Sequence, residues 1–185
     1  MRFASLAALI AVLGCVGMLA ANMPHFDPSR PARHDGIAGI NKRKGQFFLA
    51  ANAKKEGVKT LPSGLQYKVL KSADQKVQGR SPKLTDIVAT NYRGTLLDGT
   101  EFDSSYKGGR PISFPVGAVI AGWTEALQLM HVGDKWQLFI PPDLAYGTTG
   151  IARTPIGPNE TLIFEVELLG IKGADEAPGK SGSPQ

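Results

Sequence analysis

The stretch Val119-Ile120-Ala121-Gly122-Trp123-Thr124-Glu125-Ala126-Leu127-Gln128-Leu129-Met130 constrains the fold most, because it is the only strong helical pattern in a region otherwise written as strands. Ile120, Trp123, Leu127 and Met130 recur at the interval that puts side chains on one helix face, with Ala126 beside them. Gly133 supplies a natural stop. A helix of roughly two turns does not stand alone in water, so strands must hold its apolar face. Trp123 falls at the start of this helix, where the backbone opens toward either core or the floor of a pocket.

The flanking segments supply those strands. Leu65, Tyr67 and Val69 alternate with Gln66 and Lys68, the period of a half-buried strand. Residues 86–97 form a second strand, and Asp98-Gly99 is a strong hairpin turn before Thr100-Glu101-Phe102-Asp103 returns. A short strand over residues 112–114 precedes the helix. Trp136, Leu138 and Ile140 alternate with Lys135, Gln137 and Phe139 to give another strand, and Pro141-Pro142 ends it. The last strand, residues 161–171, turns Leu162, Phe164, Val166 and Leu168 inward and Glu165 and Glu167 outward. Residues 75–83 read as a polar loop. Residues 143–160, rich in Gly and Pro, form a long loop of the kind that usually carries function. The expected class is α+β: a curved antiparallel sheet wrapped on one short helix, with a further helix at the N-terminal side.

That further helix is expected over residues 41–57, where helix formers surround Phe47, Phe48, Ala50, Ala51 and Ala53 on a surface segment ending at Gly57. Before it, residues 22–40 contain Pro24, Pro28, Pro31, Gly36 and Gly39 and read as a flexible tether. Residues 1–21 join Arg2 to an apolar run over 3–21, which reads either as an export signal or as a membrane anchor. Val12-Leu13-Gly14-Cys15 resembles a bacterial lipoprotein signal, in which Cys15 is lipidated; the plainer reading makes Cys15 an ordinary apolar residue of the segment. Residues 58–172 are the main domain, and the Gly-, Pro- and Ser-rich residues 173–185 are an expected disordered tail. The chain is placed beyond an inner membrane, in the periplasm or cell envelope, with membrane contact only through its N-terminal segment.

A net charge of +5 on 185 residues is an ordinary solvated basic surface, and no basic-aromatic motif accompanies it, so no nucleic-acid partner is expected. One Cys excludes an intramolecular disulfide, and three scattered His lack metal-ligand spacing; neither metal nor cofactor is expected. Ser104-Ser105 lies in no nucleophile-elbow context, and Gly147-Thr148-Thr149-Gly150 lacks the spacing and Lys of a P-loop. Tyr92, Phe102, Phe114, Trp123, Tyr146 and Phe164 collect between helix and sheet. Each alone reads as core; with Asp103 and the long loop they also describe an apolar pocket with few polar groups.

Four ordered blocks narrow the choice: Tyr92-Arg93-Gly94-Thr95-Leu96-Leu97-Asp98-Gly99-Thr100-Glu101-Phe102-Asp103-Ser104-Ser105, Val119-Ile120-Ala121-Gly122-Trp123, Pro142-Asp143-Leu144-Ala145-Tyr146-Gly147 and Thr161-Leu162-Ile163-Phe164-Glu165-Val166-Glu167-Leu168-Leu169. Together they resemble the signature of FKBP-type peptidyl-prolyl isomerases over roughly residues 65–171. Upstream, the stretch from Phe48-Leu49-Ala50-Ala51-Asn52-Ala53-Lys54-Lys55-Glu56-Gly57 through Pro62-Ser63-Gly64-Leu65-Gln66-Tyr67 is similar to the bacterial macrophage infectivity potentiator branch. The resemblance implies catalytic roles for Tyr92, Phe102, Asp103, Ile120, Trp123, Tyr146 and Phe164, and substrate contacts from Ile112, Val119 and Ile156. It implies Trp123 as the floor under a proline ring, with the Ile120 N–H and the Tyr146 hydroxyl holding substrate carbonyls. It also implies proline-containing polypeptide clients and macrolide inhibitors as ligands. Ile112 stands where the family often has an aromatic, and Ile151-Ala152-Arg153-Thr154 replaces a segment that carries a His in some relatives. The branch's dimerisation module has too little chain before Asn41, so a monomer is expected. The rival reading is a chaperone that grips apolar chain without isomerising it.

Overall fold

The computed structural model describes residues 36–74 and 79–172. The leader, Cys15, most of the tether and the tail expected from sequence lie outside these residues. Two α-helices are present among them: α1 (Ile37–Asn52) and α2 (Ala121–Leu127). Seven strands, β1 (Val58–Thr60), β2 (Gln66–Lys71), β3 (Ile87–Thr95), β4 (Glu101–Ser104), β5 (Ile112–Pro115), β6 (Lys135–Ile140) and β7 (Leu162–Lys172), build one antiparallel sheet. Their order is β1-β2-β6-β7-β3-β4, with β5 also paired to β3.

The sheet is centred on β7, because its strict alternation buries one face along its length. Leu162, Phe164, Val166 and Leu168 are buried while the residues between them are not. Register then brings Leu138 opposite Phe164 and Trp136 opposite Val166, so like faces meet across the β6–β7 pair. Irregular pairing at Ala89/Thr90 and Gly94/Thr95 in β3 adds local twist, which bends the sheet around α2. The Asp98-Gly99 turn forms as the dipeptide predicts, with Gly99 at φ 88° and the Leu96 N–H donating to the Thr100 carbonyl at 2.9 Å. Helix α2 fills the concavity with Trp123, Ala126 and Leu127, and Gly122 lets it approach: a Cβ there would sit 2.6 Å from Ile140 Cγ2.

Several expectations need correction. α1 starts four residues before the expected helix, inside the stretch read as tether, and ends at Asn52, with turns over 53–57. It is also more than a surface segment, since it packs on one end of the sheet's second face, where the Phe48 ring lies 5.8 Å from that of Phe139. Phe139, on the opposite face from Leu138 and Ile140, is therefore only 5% exposed. Strand β1 was not foreseen. α2 is shorter than the apolar stretch, and Val119 and Ile120 precede it as extended backbone.

Candidate active site

Four strands, the approach to α2 and the long loop converge beside the N-terminus of α2 on a cavity of about 630 Å³. β3 supplies Tyr92, β4 supplies Phe102 and Asp103, β5 supplies Phe114 and β7 supplies Phe164. Ala118, Val119 and Ile120 come from the approach to α2, Trp123 from its first turn, and Tyr146, Ile151, Thr154 and Ile156 from the long loop. This size suits a small ligand or one buried side chain with its flanking backbone.

Trp123 is the hub of the aromatic wall. Its ring centroid lies 5.2 Å from those of Tyr92 and Phe164 at interplanar angles of 88° and 87°, and 5.6 Å from that of Phe114. Phe102 meets Phe164 edge-on at 5.4 Å. Edge-to-face contacts suit the ring quadrupoles and fix each plane by its neighbours, so the wall is rigid. Gly94 makes room for it, because a Cβ there would stand 2.6 Å from the Phe102 ring and 2.7 Å from that of Phe164. The indole N–H of Trp123 is buried and finds no acceptor among the described residues.

Polar groups are few and held. The Tyr92 hydroxyl donates to Asp103 Oδ2 at 2.7 Å, and the Ser104 N–H donates to Asp103 Oδ1 at 2.8 Å, so both carboxylate oxygens are engaged. The Tyr92 N–H donates in turn to Ser105 Oγ at 3.0 Å. Burial first, and then the hydrogen bond to Asp103, push the Tyr92 hydroxyl well above the ordinary tyrosine range. Tyr146 is raised too, by burial and then by the charge of Asp103. Both phenols are therefore neutral donors across the physiological range. Among the described residues no three His, Cys, Asp or Glu side chains cluster as metal ligands.

Nine of the ten residues singled out from sequence line this one cavity. Ile112 does not. It is 42% exposed on β5 and lines a separate hollow with Ser104, Ser105 and Arg110. The sequence grouped Phe114 with the aromatics of an apolar pocket but gave it no role, and it did not assign Ala118, Ile151 and Thr154 to the site. Alternation marked Phe114 as apolar without separating pocket from core, and for Ala118 no sequence signal exists.

An aromatic-walled cavity, a short helix whose first turn lines it and an antiparallel sheet wrapped around that helix are the architecture of an FKBP-type domain. The sequence agrees: residues 78–169 match the FKBP-type peptidyl-prolyl cis-trans isomerase family, and residues 19–69 match the domain amino-terminal to it. Similar proteins include the "Outer membrane protein MIP" of Legionella longbeachae, 50% identical over 145 residues, which are 78% of this chain and 60% of that protein. The crystal structure of FkpA from Escherichia coli superposes with a TM-score of 0.69 at 47% identity, covering 74% of this chain and 62% of that one. A peptidyl-prolyl cis-trans isomerase structure from Pseudomonas syringae gives a TM-score of 0.67 at 36% identity, over 75% of this chain and 98% of that one. This chain belongs to the FKBP-type peptidyl-prolyl cis-trans isomerase family. The matched region spans about 60% of the Legionella longbeachae relative and about half of an Aeromonas hydrophila FkpA.

Proposed function

We propose that the protein catalyses cis–trans rotation about X-Pro bonds in polypeptides of the cell envelope, assisting their folding. The observation that carries this reading is the rigid aromatic cavity floored by Trp123, with its few polar groups confined to the rim. An X-Pro bond is held planar by resonance behind a barrier of roughly 18–20 kcal/mol. Twisting it breaks conjugation, localises the nitrogen lone pair and leaves a less polar amide. An apolar wall therefore favours the twisted form over the planar one, and only that difference accelerates the reaction. Each ~1.4 kcal/mol of it gives a tenfold rate.

Orientation supplies the rest. Trp123 lies under the proline ring, with Tyr92, Phe102, Ile156 and Phe164 around it, and Val119 bounds the entrance. The Ile120 N–H and the Tyr146 hydroxyl hold the carbonyls that flank the bond. Asp103, fixed by Tyr92 and Ser104, presents a constant dipole beside the twisting amide and is not a general base. The hydroxyl of Tyr92 is spent on Asp103, which leaves its ring as wall.

The name of the Legionella longbeachae relative supports envelope placement, as does the apolar run over residues 3–21; no helix among the described residues is long and apolar enough to cross a membrane. Macrolide inhibitors of the family are inferred to compete for the same cavity. A monomer is inferred from Pro24, Pro28 and Pro31, which oppose a long pairing helix before α1. The deciding experiment is magnetisation-exchange NMR on a proline peptide with the purified protein. Catalysed exchange, abolished by a pocket ligand, is the expected result. Peptide binding without exchange would make the protein a passive chaperone instead.

A further inference from the structure

The loop that supplies Tyr146, Ile151, Thr154 and Ile156 to the pocket is tied to α1, the helix on the sheet's other face. Two asparagines make reciprocal bonds across this contact. Asn41 of α1, only 5% exposed, donates from Nδ2 to the Pro158 carbonyl at 3.0 Å. Asn159 donates from Nδ2 to the Ala38 carbonyl of α1 at 3.1 Å. Gly45, one turn beyond Asn41, has no room for a Cβ against Thr161, so helix and loop end lie in direct contact.

Asn159 also reaches the pocket side of the loop. Its N–H donates to the Gly147 carbonyl at 2.8 Å, one residue from Tyr146, and the Tyr146 carbonyl accepts from the Gly150 N–H at 3.1 Å. On the other arm, Ile156 lies two residues before Pro158, and its carbonyl accepts from the Ile151 N–H at 2.9 Å. Asn159 holds φ at 57°, a left-handed conformation that asparagine adopts more readily than most residues. Its amide must donate, which an isosteric carboxylate cannot do.

We propose that Asn159, braced by Asn41, is a positioning residue for the proline pocket, locking the Tyr146 and Ile156 arms of the loop to α1 so that the amino-terminal helix sets the shape of the site. The assignment rests on the isomerase reading above. Asn159→Gly keeps the left-handed backbone and the bond to Gly147 but removes the side-chain bond to the Ala38 carbonyl of α1. Asn159→Asp keeps the shape and removes the donor. Each should raise KM for an Ala-Leu-Pro-Phe peptide, and its Kd by Trp123 fluorescence, roughly 3- to 30-fold, with kcat changing less. Asn41→Ala should do the same, and joined to Asn159→Gly it should add less than its separate effect, since both cut one linkage.

The comparator is Gln66→Ala. It removes a different tie of α1, the Gln66 pair with Asn52 and the Leu49 carbonyl, which does not touch the loop. At a matched loss of thermal stability it should leave KM and Kd unchanged. Unchanged KM and Kd in both Asn159 variants, or an equal rise with Gln66→Ala, would overturn the assignment. A parent that binds the peptide without exchanging it sinks the isomerase reading while the Kd ratios still decide this one. A parent that does neither overturns both.

Discussion

The two helices are held by opposite chemistry. α2, seven residues long, buries Trp123, Ala126 and Leu127 and makes no side-chain cap bond at its N-terminus. α1, sixteen residues long, buries Asn41, Gly45 and Asn52 and turns Ile37, Ile40 and Phe47 outward. Apolar burial is strong but weakly directional, so α2 supplies core energy and takes its exact seat from jigsaw packing. Amide bonds add less net energy but fix register, and an unmade one is costly. α1 therefore contributes position more than stability.

The comparison breaks if a change in α1 costs as much as a change in α2. Trp123→Ala should be the most damaging, lowering unfolding free energy by about 3–5 kcal/mol in urea titration. It should also abolish peptide binding along with exchange. Gly122→Ala comes next, at about 1–3 kcal/mol, because its Cβ meets Ile140 inside a packed core that has little room to give. Gly45→Ala collides with Thr161 just as directly, yet it should cost less, because α1 can lift while the sheet keeps its core. Hydrogen exchange separates the two. Gly45→Ala should expose α1 amides while those of β6 and β7 keep their protection, whereas Gly122→Ala should lower protection across the sheet. Uniform loss in both variants would mean the helices are one cooperative unit and the contrast is false.

The same contrast governs what could be read from sequence. α2 was legible because Ile120, Trp123, Leu127 and Met130 obey a period that apolar burial enforces, and β7 was legible through its alternation. α1's inner face was not, since Asn41, Gly45 and Asn52 carry no apolar period, and Gly36 and Gly39 masked its start. Phe139 alternates with Leu138 and Ile140, and its sequence neighbours Lys135 and Gln137 gave no sign that a helix covers it. Strand β1 is three residues at an edge, too short to show any period. Within the site, residues alone could not divide Tyr92, Phe102, Trp123 and Phe164 between core and pocket. The family resemblance implied their grouping, and the fold brings them together. Ile112 lies on the same face of β5 as Phe114 but two residues farther along, beyond the cavity and beside Ser104, Ser105 and Arg110, and sequence spacing does not say where along a strand a pocket ends.

The smallest expected effects are at the rim, where charge rather than packing is altered. Asp103→Asn leaves the shape nearly intact and still offers Tyr92 an oxygen to bond, so it should lower the exchange rate more than it lowers stability. Asp103→Leu should slow exchange further by removing the dipole. Neither outcome involves a proton moving in the reaction, so the parent's rate should stay flat from about pH 6 to pH 8. The phenols set the alkaline limit. Tyr92 and Tyr146 have folded pKa values raised above the ordinary 10.0, so the stability linked to them is fully present below pH 10. It is lost as pH rises beyond that value, where the unfolded chain ionises its tyrosines and the folded one does not. Exchange rate and thermal stability measured together from pH 6 to pH 11 test this directly. The rate should hold level and then fall only with the melting temperature, and a bell-shaped rate within the neutral range would show that Asp103 or a tyrosine transfers a proton after all.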